Sequence, residues 1–406
     1  MKSSSTPTPT AGRLEFVDIL RGFALTGVFA ANLLIFSGFA YMTESQRARM
    51  LALPLDRILF RLELVFIENK FLGLFALLFG VSFWLFLDRA KSRGVAGRHG
   101  LALFYRRLAW LFLIGCVHGW LFWCFDVLRF YALWGLFLPL FLRISQRTLL
   151  SAALFCAVLA PALVIGLRSL LLPPAPGDPA LDQLALRAFS SGTYLDVLRL
   201  NWRYDWRLTL SVSQIGYQVA IFGRLLLGLW AARAGIVSGL ARHQPLLRTL
   251  VIVGSIVGIA ANVADAAHVL DAGTGTGFLR PFAGRLAAEL GYLGLSVAYA
   301  SALALVLQKR SAIARLQPLA SVGRIALSCY LLQTAIGLFL FYGFTGGPRW
   351  MGRVEPAWLA CVWIVGYGIQ MALASAWLRR YRFGPAEWLW RSLTYQRVQP
   401  FRIAAR

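Results

Sequence analysis

Charge is what this sequence lacks. Only 14% of its 406 residues are charged, while 59% are hydrophobic. A soluble domain holds roughly a quarter charged residues and under half apolar ones. A larger core cannot absorb the shortfall, because a soluble chain of this length still needs a polar surface. A soluble enzyme, a secreted disulfide scaffold and a disordered chain are therefore excluded, which leaves a polytopic membrane protein. Acid is scarcer still: 17 Asp+Glu stand against 41 Lys+Arg, a net charge of +24. A nucleic-acid binder would gather that charge on a soluble module. Here it sits in short loops between apolar runs, so no nucleic acid is expected and the partner is membrane lipid, above all an anionic leaflet. Lysine is nearly absent, 4 against 37 Arg, which reads as genome composition rather than chemistry. The five cysteines are scattered without CxxC spacing, so neither a metal site nor a disulfide framework is indicated.

What is present is a series of long apolar runs. A bilayer core of about 30 Å takes roughly 20 helical residues per crossing. Ten stretches qualify, at about 17–40, 64–87, 103–122, 125–142, 149–172, 211–232, 248–268, 284–307, 322–344 and 357–378. They are too long for barrel strands and show no alternation of period two. The expected fold is thus an all-α transmembrane bundle. Residues 1–12 form a polar tail without an apolar core of its own, so the first span is expected to remain as an anchor. With that tail inside, the cytoplasmic segments carry 24 of the 41 basic residues and the opposite loops 13. The positive-inside rule then places both termini in the cytoplasm. The organisation that follows is a first membrane half at 13–172, an outer segment at 173–210, a second half at 211–396 and a basic tail at 397–406. The outer segment opens on LPPAPGDP, which prolines bar from helix. It then turns amphipathic through TYLDVLRLNWRYDW, the composition of a helix lying in the interface. GTGTG at 273–277 is no phosphate loop, since no strand precedes it and no Lys follows.

Ionisable groups inside a bilayer are costly, so each needs a partner, a water path or a function. They fall into two sets by depth. Asp18 and Arg21 share a face of the first span, with Arg106 and Arg107 opening the third. Towards the other side are Asn32, Glu68 and Lys70, then His118 near the end of the third span and Asp126 and Arg129 at the start of the fourth. His118 and Asp126 are eight residues apart across a tight hairpin, so contact is feasible. A His oriented by a carboxylate is a general-base arrangement; the plainer alternative is two interfacial residues that finish their helices in water. Asp18–Arg21 can equally be an ion pair capping its span, and Asn32 interhelical glue. Glu68 and Lys70, two apart, cannot face each other on a helix, so each must find partners elsewhere. No span is clearly broken near its middle by Pro or paired Gly.

Several strings resemble one family. LEFVDILRGFALTGVFAANLLIF, FIENKFLGLFALLFGVSF and YRRLAWLFLIGCVHGWLFWCFDVLRFYAL, then FGRLLLGLWAARAGI, GRIALSCYLLQT and RFGPAEWLWRSLTY, resemble the YeiB family of integral membrane proteins, which carries the domain of unknown function DUF418. The likeness covers about residues 13–396. It departs from the pattern at Phe125, where Gly is more frequent, and at Ser328-Cys329, where Thr-Asn is usual. The resemblance implies a bacterial cytoplasmic (inner) membrane protein, but no reaction.

The D-x-x-R-G opening is in turn similar to that of the acyltransferase-3 proteins and the lysosomal heparan glucosaminide N-acetyltransferase. These move an acyl group from a cytosolic thioester to a sugar hydroxyl or amine on the far side. Where the acyltransferase-3 pattern has a His, 11 residues after the Arg, this chain has Asn32. An amide cannot act as a base, though it can orient a substrate or an oxyanion. By that likeness His118 with Asp126 would supply the base, with His268 in reserve. Arg21, Arg106 and Arg107 would hold the phosphates of an acyl-CoA-type donor, while Asn32, Glu68, Lys70 and His118 face a small-molecule, lipid or glycan acceptor. No resident cofactor is expected. Transport of a small molecule or lipid, and a non-catalytic scaffold or sensor, are the other classes the polar residues allow.

Overall fold

The computed structural model describes residues 10–92, 97–172, 178–267 and 277–403. The chain is all-α, and among the described residues the one sheet-type pairing is a single bridge, Tyr381 to Arg402. The order begins α1 (Thr10–Phe36), α2 (Glu44–Met50), α3 (Pro54–Phe66), α4 (Lys70–Ser92), α5 (Arg98–Leu121), α6 (Leu128–Gly135), α7 (Gln146–Leu154) and α8 (Ala160–Leu171). Then follow α9 (Pro179–Ser191), α10 (Tyr194–Leu210), α11 (Val212–Arg233), α12 (Gln244–Ala266) and α13 (Leu279–Val306). The chain closes with α14 (Arg310–Arg315), α15 (Gln317–Arg324), α16 (Ala326–Phe341), α17 (Pro356–Trp377) and α18 (Pro385–Tyr395).

Among the described residues 8 helices are long and apolar enough to cross a membrane, or up to 9 if α15 and α16 count as one bent span. Apolar length alone suggested ten, and the stretch 125–142 accounts for a difference. There α6 stops at Gly135 and a short 3-10 turn, Leu138–Phe141, takes over. Pro139 explains the stop, because its ring excludes a helical carbonyl four residues earlier and it offers no N–H. Two further breaks escape hydropathy. Asn69 adopts φ 62° between α3 and α4, and α15 meets α16 at 87°. The bend at Ile325 lies near the start of the apolar stretch 322–344 and needs neither Pro nor paired Gly.

The helices pack through glycines. A methyl group on Gly22 would lie 2.0 Å from the Leu319 carbonyl oxygen, and one on Gly323 1.8 Å from that of Asp18. Between α4 and α11, Gly80 and Gly228 play the same part against the carbonyls of Leu225 and Leu77, each at 1.9 Å. Lipid tails are as apolar as leucine, so close backbone approach supplies much of what holds such helices together.

The segment after α8 forms two helices, and α10 does more than lie on an interface. Its residues Val197, Leu200, Asn201, Tyr204 and Asp205 are buried, a helical stripe that carries an amide, a phenol and a carboxylate into the bundle. Residues 173–177 of the proline run, His268 and residues 273–276 of the glycine run lie outside the described residues.

Candidate functional site

The site grows from one helix end and the link that follows it. α5 finishes at Leu121, and the Trp123 N–H turns back to the His118 carbonyl at 2.9 Å. The chain then reverses so that Asp126 comes to lie beside α5. Gly115 and Gly119 make room: a methyl on Gly115 would sit 2.5 Å from the Arg129 nitrogen, and one on Gly119 3.3 Å from the Asp126 Cβ. One face of α5 therefore carries glycines where the hairpin presses and His118 between them.

His118 Nδ1 lies 2.8 Å from Asp126 Oδ1, and its Nε2 lies 2.9 Å from Thr334 Oγ1 on α16. Asp126 Oδ2 accepts the Arg129 backbone N–H at 3.0 Å. All three side chains are buried: His118 is 4% exposed, Asp126 1% and Thr334 3%. A carboxylate is an acceptor only, so the imidazole donates from Nδ1 to Asp126 and Nε2 is left to receive the Thr334 hydroxyl proton. A hydroxyl, an imidazole and a carboxylate in series is the geometry that activates a nucleophile. The Tyr330 ring, one helical turn before Thr334, closes over the imidazole at 5.2 Å.

Arg129 is buried as well and pairs with Asp205 of α10. Asp205 also accepts from the Trp120 indole at 2.9 Å. The Arg129 guanidinium is thus tied to α10 and lies 4.7 Å from the centre of the Phe130 ring. Thr334, Asp205 and Trp120 were absent from the residues singled out in the sequence. Thr334 ends the GRIALSCYLLQT string, and Asp205 closes the helical stripe within TYLDVLRLNWRYDW, so both signals were present.

The other candidates lie elsewhere. Asn32 is buried on α1 and makes no hydrogen bond to His118. Lys70 is fully buried; its ammonium donates to the Leu64 carbonyl and stands 4.9 Å over the Tyr292 ring. Glu68 lies in the turn between α3 and α4 rather than on a helix with Lys70, and it forms no ion pair among the described residues. Deeper in that part of the bundle, Arg224 and Arg285 both hold Glu289, at 2.6 and 2.5 Å.

At the opposite end of α5, Arg21 bonds Asp18 at 2.9 Å, the Gly323 carbonyl at 3.1 Å and the Ser82 hydroxyl at 3.1 Å. The Arg107 guanidinium stacks on Trp390 of α18 at 4.0 Å, and the Trp390 indole donates to the Arg107 carbonyl at 2.9 Å. Arg21, Arg89 and Arg391 all act electrostatically on Arg107. Arg106, beside it, is half-buried and makes no hydrogen bond or ion pair among the described residues. Eleven helical residues separate Arg107 from His118, about 16 Å along the axis.

These features define an all-α polytopic membrane protein with a buried hydroxyl–imidazole–carboxylate group near one end of its bundle and an arginine cluster near the other. Residues 231–397 match the family described as "Protein of unknown function (DUF418)". It is similar along nearly its whole length to "Uncharacterized protein YxaH" of Bacillus subtilis (strain 168), 28% identical over 426 aligned residues that cover 98% of each chain. It is likewise 29% identical to "Uncharacterized protein YeiB" of Escherichia coli (strain K12), over 95% of this chain and 97% of that one. An "Uncharacterized 39.9 kDa protein in amylase 3'region" of Bacillus acidopullulyticus is 29% identical over 96% and 95%. The domain match contains Thr334 but neither His118 nor Asp126, so the hydrogen-bonded group straddles its boundary.

Proposed function

We propose that this protein is an acyltransferase of the bacterial cytoplasmic membrane, which carries an acyl group from a cytosolic thioester to an acceptor on the outer side. One observation carries the reading: His118 held between the Asp126 carboxylate and the Thr334 hydroxyl. Asp126 fixes the ring with its lone pair towards Thr334 and stabilises the imidazolium that forms. Thr334 Oγ1 attacks the thioester carbonyl while its proton passes to His118 Nε2. Collapse of the tetrahedral adduct breaks the C–S bond, and the departing thiolate takes that proton. An acceptor hydroxyl then attacks the threonyl ester by the same route in reverse, and Thr334 recovers its proton. The Arg21, Arg106 and Arg107 end of α5 receives the donor's phosphates, with Arg107 held flat by Trp390. Asn32, Glu68 and Lys70 make no bond to the His118 group and are assigned no step.

The test is release of free CoA from acetyl-CoA by the purified protein in proteoliposomes, with the His118→Ala variant beside it. Release in the wild type and its loss in the variant are expected; full release with His118→Ala sinks the proposal. Transport is the second reading, and the 87° break between α15 and α16 favours it, since transporters place their sites at interrupted helices. It predicts flux of substrate across the same vesicles without covalent change.

A further inference from the structure

Away from the His118 group, one crossing is interrupted at its charged residues. α3 ends at Phe66 and α4 begins at Lys70, with Asn69 between them in the left-handed region, φ 62°, which asparagine tolerates better than most residues. The link folds back on itself. The N–H groups of Ile67 and Glu68 both return to the Glu63 carbonyl, at 2.8 and 3.0 Å, and the Lys70 ammonium donates to the Leu64 carbonyl. Helix α13 fixes the link from the side: the Tyr299 hydroxyl donates to the Phe66 carbonyl at 2.9 Å, and the Ser296 hydroxyl to that of Lys70 at 2.7 Å. Ser296 stands ten residues, about 15 Å, from the nearer end of α13, so the interruption lies at membrane depth.

Two charges meet there without pairing. Both carboxyl oxygens of Glu63 are buried and bond to nothing among the described residues. Lys70 is fully buried, rests on the Leu64 carbonyl and the Tyr292 ring, and forms no ion pair among the described residues. Glu68 and Lys70 are the charges that act on Glu63. The neighbouring elements offer it no other. α3 packs against α12 and α17; α17 has no charged residue, and Asp265 of α12 accepts the Tyr292 hydroxyl at 3.2 Å. On α13, Arg285 and Glu289 hold each other. Within α3, Asp56 accepts the Ala357 N–H at 2.9 Å, while Arg57 and Arg61 are exposed.

A carboxylate with neither donor nor cation in contact is costly in a low-dielectric interior, and taking a proton removes that cost. A metal ion fits less well, since a hard cation asks for about six oxygens and no acidic trio among the described residues gathers closely enough to hold one. A proton also needs no cavity. We propose that this interruption is a proton-binding site inside the membrane, in which Glu63 takes the proton and Lys70 is the charge that replaces it. With the proton bound, the carboxyl is neutral and the ammonium stays on Leu64. When the proton leaves, the carboxylate draws the ammonium from Leu64, one residue away, and frees the link to move about Asn69. Glu68 is the exposed member of the set and joins Glu63 through the 3.0 Å backbone bond, so the proton enters and leaves by way of its carboxylate. The site requires nothing of acyl transfer.

The test is infrared difference spectroscopy on the full-length protein in lipid nanodiscs, stepped through pH in H2O and D2O. The C=O band of a neutral carboxyl should be present at neutral pH, fade as the pH rises, and be missing from Glu63→Gln, while Glu68→Gln keeps it. In Lys70→Met no cation is left to replace the proton, so the band should persist about one pH unit or more beyond the wild type. Because Glu63 is neutral in the fold, Glu63→Gln should melt at or above the wild-type midpoint at neutral pH, which keeps loss of the proton apart from loss of the fold. A band that survives Glu63→Gln, a band lost in Glu68→Gln, a band unmoved by Lys70→Met, or a Glu63→Gln variant less stable than the wild type at neutral pH overturns the inference. His118→Ala should leave the band unchanged, so this proposal and the acyl-transfer proposal fail separately.

Discussion

Gly115 lies against the backbone of Arg129, so close that a methyl group on it would be 2.5 Å from the Arg129 nitrogen and 2.9 Å from Asp126 Oδ2. The contact is to main chain, which cannot swing aside. Gly115→Ala should therefore push the 126–129 turn off α5, stretch the His118–Asp126 bond and destabilise the fold by about 1–3 kcal/mol. Gly119→Ala, whose methyl would be 3.3 Å from the Asp126 Cβ, should cost less. Thermal unfolding of the two variants in one detergent checks the order; equal midpoints would contradict it.

The Arg129–Asp205 pair ties the His118 hairpin to α10. Both side chains are at most 10% exposed, so removing one leaves an uncompensated buried charge, at about 3–5 kcal/mol. Replacing both with apolar residues should recover most of that loss, because a buried pair is worth little beyond its own desolvation. Arg129→Met and Asp205→Leu, singly and combined, form the cycle. A double variant as unstable as the worse single one would show that the charges themselves are needed.

Glu387 on α18 accepts the N–H groups of Leu327 and Ser328, at 2.6 and 3.2 Å, and the Ser328 hydroxyl at 2.5 Å. It thus caps α16 where that helix starts afresh after the 87° bend. Burial holds its carboxyl above the ordinary 4.5, although these donors pull the other way. A raised folded-state value means the native protein holds its proton longer than the unfolded chain does. The resulting stability is present below about pH 4.5 and is lost as pH rises through the raised value. Glu387→Gln keeps an acceptor for the two N–H groups and does not titrate. It should flatten the fall in thermal midpoint over that window, and an unchanged slope would assign the pH dependence to other groups.

How much of this was legible in the sequence depended on chain distance. His118 and Asp126 are eight residues apart, so a hairpin brings them together and the pattern could be read directly. Thr334 is 216 residues from His118, and no local rule connects them. Asp205 sits on a stripe whose period was readable, yet the Trp and Arg around it suit an interface, and composition does not tell which face turns inward. Apolar length found the helices but not their breaks, since a run of leucines reads alike whether it continues straight past Ile325 or turns. The Arg–Glu–Arg group of Arg224, Glu289 and Arg285 shows the same limit: Glu289 is an acid inside an apolar run, while its partner Arg224 is 65 residues away.

The hydroxyl of Thr334 separates a catalytic reading of the His118 group from a purely structural one. Thr334→Val keeps the shape and removes the oxygen, leaving His118 Nε2 buried without a partner; Thr334→Ser keeps the oxygen. If His118 only ties α5 to α16, both variants should track stability alone, with Val losing about 1–3 kcal/mol for the orphaned nitrogen and Ser losing little. If Thr334 carries the acyl group, Ser retains CoA release and Val abolishes it, even where the folded fraction is matched. Asp126→Asn adds the third arm, since an amide can turn its NH2 towards His118 and reverse the tautomer, placing the proton on Nε2. Release should then fall by between about 100- and 10,000-fold with the fold retained. Stability and CoA release measured on the same preparations decide it, because a nucleophile with an oriented base needs both the oxygen and the tautomer, whereas a structural clasp needs only hydrogen bonds.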